Sequence, residues 1–157
     1  MPIRRIEAKD NQAVAALVRT CLAAAGLDQP GTAYFDPQLD DLYDFYTANT
    51  QRGYWVLVDD VDQVLAGCGF AEYLGTTAEL QKLYVDPEIR GHGIAHQLMA
   101  QVEVGAKAAG YTQLYLETHH HLQAAIKLYT HAHWTPLAGP MQAGPHTTMD
   151  YFFVKSL

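Results

Sequence analysis

The chain has 157 residues, 49% of them hydrophobic, and a formal charge of −7 at pH 7. This is enough for one domain, residues 1–157, with a proper core and no need of a disulfide or metal staple. The acidic balance excludes surfaces built to attract nucleic acid or anionic lipid, so neither partner is expected.

Ile3 to Ala8 reads as a short first strand. Asp10 or Asn11 then caps a helix whose Val14, Leu17, Val18, Cys21, Leu22 and Ala25 keep one apolar stripe as far as Gly26. Asp28-Gln29-Pro30-Gly31 breaks the chain, and Leu39 to Ala48 forms a second helix. Tyr54 to Val58 and Val64 to Tyr73 are strands, joined by the acidic turn Asp59-Asp60-Val61-Asp62. Glu79 to Val85 is the fourth strand. After it come a helix carrying Ile94, Leu98, Val102 and Ala106, a strand from Gln113 to Thr118, and a helix from Leu122 to Thr130. A short strand starts at Trp134 and a closing one spans Thr147 to Lys155. The order β-α-α-β-β-β-α-β-α-β-β predicts a single α/β domain.

Cys21 and Cys68 lie in apolar runs without metal-ligand spacing and read as buried thiols. The basic start, Met1 to Ile6, runs into Glu7-Ala8-Lys9-Asp10 instead of an apolar signal core. No run reaches membrane-spanning length, so a cytoplasmic location is the expectation.

The most telling stretch is Val85-Asp86-Pro87-Glu88-Ile89-Arg90-Gly91-His92-Gly93-Ile94-Ala95, where a strand stops, turns through two glycines and opens into a helix. Glycine lets the backbone approach a phosphate closely. The unpaired N–H groups and the positive end of the helix supply donors and partial charge. In so acidic a chain the anion is held by such a local nest, with Arg90 and either Lys82 or Lys127 as helpers, and not by overall charge. No Gly-Lys-Ser/Thr follows and no third glycine completes a dinucleotide fingerprint. His92 and His96 stand one helical turn apart, but spacing places no third ligand, so no metal is expected.

Three segments together carry a resemblance to the Gcn5-related N-acetyltransferase (GNAT) family: Glu79 to Pro87, Arg90 to Ala95, and Ala125-Ile126-Lys127-Leu128-Tyr129. The resemblance covers nearly the whole chain. It implies a mixed central sheet of six to seven strands flanked by four helices, with the fourth and fifth strands splayed. It further implies acetyl-CoA as cosubstrate, its pantetheine arm pairing with backbone near Leu83 and Val85 and its pyrophosphate resting on Arg90, Gly91, His92, Gly93, Ile94 and Ala95. The implied activity is direct acetyl transfer to a primary amine of a small molecule or peptide, a hydroxyl acceptor being the lesser variant. A non-catalytic acyl-CoA-binding or interaction module is the alternative, and family members often form homodimers.

Transfer to an amine requires a base, because an alkylammonium with a pKa of about 10 must lose a proton before it can attack. Glu79 stands where histone-acetylating members carry their basic glutamate, with Glu117 or a water relay as the other choices. The leaving thiolate, whose pKa is about 8.5 like that of cysteine, asks for an acid. The resemblance gives that role to Tyr129, which also lies on the apolar stripe of its helix. Aromatic and acidic residues between Tyr34 and Tyr43 suggest a wall for a cationic amine, with Tyr34, Phe35 and Asp41 as contacts. The run His119-His120-His121 reads as a helix cap, with His120 offered to the acceptor. Two departures from the family pattern stand out: Leu122 replaces a cofactor-contacting Asn, and His133 replaces the Gly that usually ends the helix.

Overall fold

In the computed structural model, which describes residues 1–157, the strands are β1 (Ile3–Arg5), β2 (Gly53–Val58), β3 (Val64–Leu74), β4 (Thr77–Val85), β5 (Gln113–Thr118), β6 (Thr135–Leu137) and β7 (Tyr151–Ser156). The helices are α1 (Asn11–Ala24), α2 (Leu42–Thr47), α3 (Ile94–Ala108) and α4 (Gln123–His131). One mixed sheet runs β1-β2-β3-β4-β5-β7-β6, antiparallel throughout except for the β4–β5 pair. Side chains alternate across it. Tyr54, Val56 and Val58 pack with α1 and α2 on one face, and Trp55 and Leu57 pack with α3 and α4 on the other. With both faces covered, β2 is buried along its whole length, which is why it reads as an unbroken apolar run.

Several ends differ from the expected ones. The first strand stops at Arg5, because Glu7 N–H donates to the Asp10 carboxylate (2.7 Å) and the chain turns. Asp10 also takes the Arg4 guanidinium (2.7 Å), so it sits at the N-cap of α1 without capping through its side chain. The second helix begins at Leu42 after a single 3-10 turn, Leu39–Asp41. The closing strand begins at Tyr151, not Thr147. Thr148 docks instead on the chain break near Gly31, its N–H donating to Gly31 O (3.1 Å) and its hydroxyl to Pro30 O (2.7 Å). That docking carries the loop before β7 across the sheet to the segment ahead of α2.

Two irregularities shape the middle of the sheet. Gly67 pairs with Tyr84 and Gly69 with Gln81, so Lys82 and Leu83 together oppose Cys68 across the ladder. This bulge bends β4, and Lys82 adopts a left-handed φ of 52°. Beyond Glu79, β4 leaves β5: the parallel pairing covers only Thr77, Ala78 and Glu79, while β5 continues on β7. The splayed strands of the expected fold are present.

His133 does occupy the left-handed position that ends α4, with φ 67°. Trp134 N–H reaches back to Tyr129 O (3.1 Å), the hydrogen bond of a helix stop that favours glycine. Since a left-handed residue bearing a Cβ costs about 1–2 kcal/mol, His133→Gly is expected to stabilise the protein by about 1 kcal/mol in urea unfolding.

Candidate active site

The gap between β4 and β5 opens into two joined hollows. The larger is a groove of about 510 Å³ running from Leu83 and Val85 along the Arg90–His96 turn, with Cys21 of α1 and residues of α4 forming its other side. The smaller, about 80 Å³, is a cleft lined by Glu79, Gln81, Glu117, Tyr129, His146 and Met149 among others. Leu83, Tyr84, Leu122 and Ala125 line both, so the hollows meet at the bulge.

The groove has the features of a phosphate cradle. No backbone N–H from Gly91 to His96 donates within the chain. These donors crown the N-terminus of the fifteen-residue α3, where partial positive charge collects. Gly91 and Gly93 have φ of 86° and 75°, and a Cβ added to either would meet no atom of the chain within 4 Å. The space beside this backbone is open. Arg90 is pinned at the wall, its Nε donating to Val85 O (3.0 Å). Past Glu79 the β5-facing edge of β4 is unpaired, leaving extended backbone free to pair with an amide-bearing ligand.

In the cleft, Glu79 Oε1 accepts from Gln81 Nε2 (2.6 Å), and Gln81 Oε1 accepts from the Tyr46 hydroxyl (2.7 Å). Glu117 Oε2 accepts from the Tyr115 hydroxyl (2.7 Å). Burial pushes the Glu79 carboxyl above its ordinary value. The Gln81 hydrogen bond and the charges of His146 and Lys82 oppose this, while the Glu117 charge adds to it. Tyr129 packs on Trp134 and Phe153, with ring centroids 5.9 and 5.8 Å away. Its hydroxyl makes no hydrogen bond in the chain, yet Trp134 Nε1 is the only sealed side-chain polar atom without a partner. The Tyr129 hydroxyl is therefore accessible from the cleft that its side chain lines. Burial raises its pKa, so the hydroxyl stays protonated at neutral pH.

Residues 11–134 match the model of the acetyltransferase (GNAT) family. The chain belongs to the GNAT family. It is 38% identical to an uncharacterized N-acetyltransferase of Escherichia coli K12, YjgM, over 133 residues that cover 82% of this chain and 78% of the relative. Its fold matches a GNAT acetyltransferase of Staphylococcus aureus Mu50 with a TM-score of 0.88, covering 99% and 98% of the two chains at 14% identity. It also matches the PaiA N-acetyltransferase of Thermoplasma acidophilum, solved with coenzyme A, with a TM-score of 0.75 over 99% and 98% of the chains at 16% identity. Membership and the YjgM relative support an acetyltransferase.

Against this GNAT frame the expected residues divide. Leu83, Val85, Arg90, Gly91, Gly93, Ile94 and Ala95 all line the groove. His92 does not: its side chain is exposed, and His96 lines the groove in its place. Glu79, Glu117 and Tyr129 come together in the cleft. Tyr34, Phe35 and Asp41 line neither hollow. Tyr34 and Phe35 pack on each other at 5.1 Å with Phe35 58% exposed, and Asp41 is an exposed residue at the start of α2. His120 turns to Asp150, which takes both its N–H (2.9 Å) and its Nδ1 (2.5 Å), while His121 reaches the groove. The two lysines offered to the phosphate are not in the groove lining either. Lys82 is buried against Asp36 (2.6 Å), and Lys127 is exposed. Sequence reading missed His146, Met149 and Gln81 in the cleft, and Asp36 behind it. No helix is long and apolar enough to cross a membrane.

Proposed function

We propose that this acetyltransferase uses acetyl-CoA and moves the acetyl group directly to a primary amine of a small molecule or peptide. The observation that carries this reading is the junction itself. A groove with an unused row of N–H donors opens, at the β4 bulge, into a cleft holding two carboxylates and an unbonded tyrosine hydroxyl. Bound acetyl-CoA supplies an activated acyl group; the chain's residues do the rest. Arg90 and the Gly91–Ala95 backbone hold the pyrophosphate, and the free edge near Leu83 and Val85 holds the pantetheine arm. Glu79 and Glu117 receive the ammonium, Glu79 draws its proton directly or through water, and the Tyr129 hydroxyl protonates the departing thiolate. Two carboxylates favour a cationic acceptor.

The test is release of free thiol from acetyl-CoA in the presence of a panel of amines. Release that depends on an amine supports the reading; acetyl-CoA binding without such release overturns it. With an acceptor in hand, Tyr129→Phe is expected to lower kcat by about 100-fold with little change in the KM for acetyl-CoA. Glu79→Gln should depress turnover most at low pH, where less amine is free. Wild-type kcat in Tyr129→Phe would return that ring to a packing role alone.

A further inference from the structure

Three side chains remote in sequence meet at the wall of the cleft. His146 Nε2 lies 2.7 Å from Asp36 Oδ1, and Lys82 Nζ donates to Asp36 Oδ2 at 2.6 Å. The Asp36 and Lys82 side chains are 7% and 3% exposed, whereas that of His146 is 21% exposed and lines the cleft with Glu79. His146 Nδ1 has no partner in the chain and is not sealed. A carboxylate accepts, so Asp36 fixes the neutral ring with its hydrogen on Nε2 and its lone pair on Nδ1. Lys82 holds that carboxylate charged inside the protein.

Glu79 and Glu117 can hold an ammonium, but holding it also stabilises its charged form. Moving a proton from an alkylammonium to an ordinary carboxylate is uphill by about six pKa units, and to an ordinary imidazole by about four. We propose that His146, oriented by Asp36, is the final acceptor of the proton that Glu79 draws from the amine. The inference rests on the N-acetyltransferase reading above. The ammonium gives one proton to Glu79, Glu79 passes it to His146 Nδ1 and returns to carboxylate, and the imidazolium so formed faces the Asp36 carboxylate. The freed amine lone pair forms the C–N bond, the C–S bond breaks, and the thiolate takes its proton from Tyr129. The nitrogen of the adduct then gives up its second proton, which restores the Tyr129 hydroxyl directly or through water, and release of the His146 proton to water closes the cycle. The charged groups around His146 are Asp36 from the segment before α2, Lys82 and Glu79 from β4, and Glu117 from β5.

The experiment compares the wild type with His146→Gln, a substitution on a part-exposed loop, using primary alkylamines beginning with ethylamine and the weakly basic trifluoroethylamine, which is neutral at pH 7. With the alkylamine, H146Q is expected to lose about 100-fold in kcat at pH 7 and to recover as the pH approaches the amine's own pKa. With trifluoroethylamine the loss should be less than about tenfold, and acetyl-CoA affinity by calorimetry should be unchanged. Equal losses with both amines, or none with either, overturn the proposal and leave the N-acetyltransferase reading standing. A wild type that acetylates no amine overturns both. Independently of activity, nitrogen NMR of the free protein should show His146 as the Nε2–H tautomer at pH 8. The double variant Asp36→Asn, Lys82→Met, which leaves no unpaired buried ammonium, should lose that preference. An Nδ1–H tautomer in the wild type overturns the proposal.

Discussion

Gly93→Val is expected to fold and yet to lose at least about 100-fold in acetyl-CoA affinity, a change of about 2.7 kcal/mol. Gly93 is the left-handed N-cap of α3. A Cβ there touches nothing in the chain, and Gly93 lines the groove beside the free N–H groups from Gly91 to His96, so a branched side chain competes for the space a phosphate would take. A branched side chain at positive φ also costs folding energy. That cost, about 1–2 kcal/mol, is small beside a typical domain stability of about 5–15 kcal/mol. Gly75, in the turn between β3 and β4, supplies the control. Its φ is 57° and its added Cβ also meets open space, but it lies away from the groove. Gly75→Val should therefore show a similar loss in urea unfolding with unchanged acetyl-CoA affinity by calorimetry. Unchanged affinity in folded Gly93→Val would remove the phosphate role from this loop.

The parts of the site that the sequence shows are those written in contiguous residues. The strand, the glycine turn and the helix from Glu79 to Ala106 follow from local chemistry, since periodicity, positive-φ turns and helix ends are properties of neighbours. Glu79 and Tyr129 were legible through the motifs around them, though not their meeting with Glu117. Tyr34, Phe35 and Asp41, expected at the acceptor, line neither hollow, whereas Asp36 of the same segment is held behind the cleft wall. The 3-10 turn at Ala33–Phe35 points Asp36 inward, and nothing in the local composition marks that rotation. Lys82 reads as a candidate helper of the phosphate nest because a lysine amid Leu and Tyr on a strand normally snorkels outward, where its charge can reach a ligand. The bulge gives it a left-handed backbone instead, and its partner Asp36 lies 46 residues upstream, while His146 on the other side of Asp36 lies 110 residues downstream of that aspartate. His146 has no local signal, because its place depends on Thr148 docking on Pro30 and Gly31.

Asp36→Asn is expected to destabilise the protein at pH 7 by about 3–5 kcal/mol, the range for removing one partner of a buried ion pair. Both side chains are nearly sealed, so the loss lies mostly in leaving the Lys82 ammonium buried without its counter-charge. The double variant with Lys82→Met removes that stranded charge and should lose less than Asp36→Asn alone, the difference measuring the coupling. The pH dependence follows from the direction of the Asp36 shift. Burial alone would raise its carboxyl, but His146 and Lys82 outweigh burial and hold it below its ordinary value. A carboxyl depressed in the folded state contributes stability that is fully present above the ordinary carboxyl pKa of about 3.9 and is lost as pH falls through the folded value. The wild type should thus lose its advantage over Asp36→Asn only in acid, the two urea-unfolding curves converging as Asp36 takes up its proton. A gap below about 1 kcal/mol at pH 7 would mean that water reaches this pair. Asp36 would then not be the buried anchor that ties the bulge of β4 to the loop bearing His146.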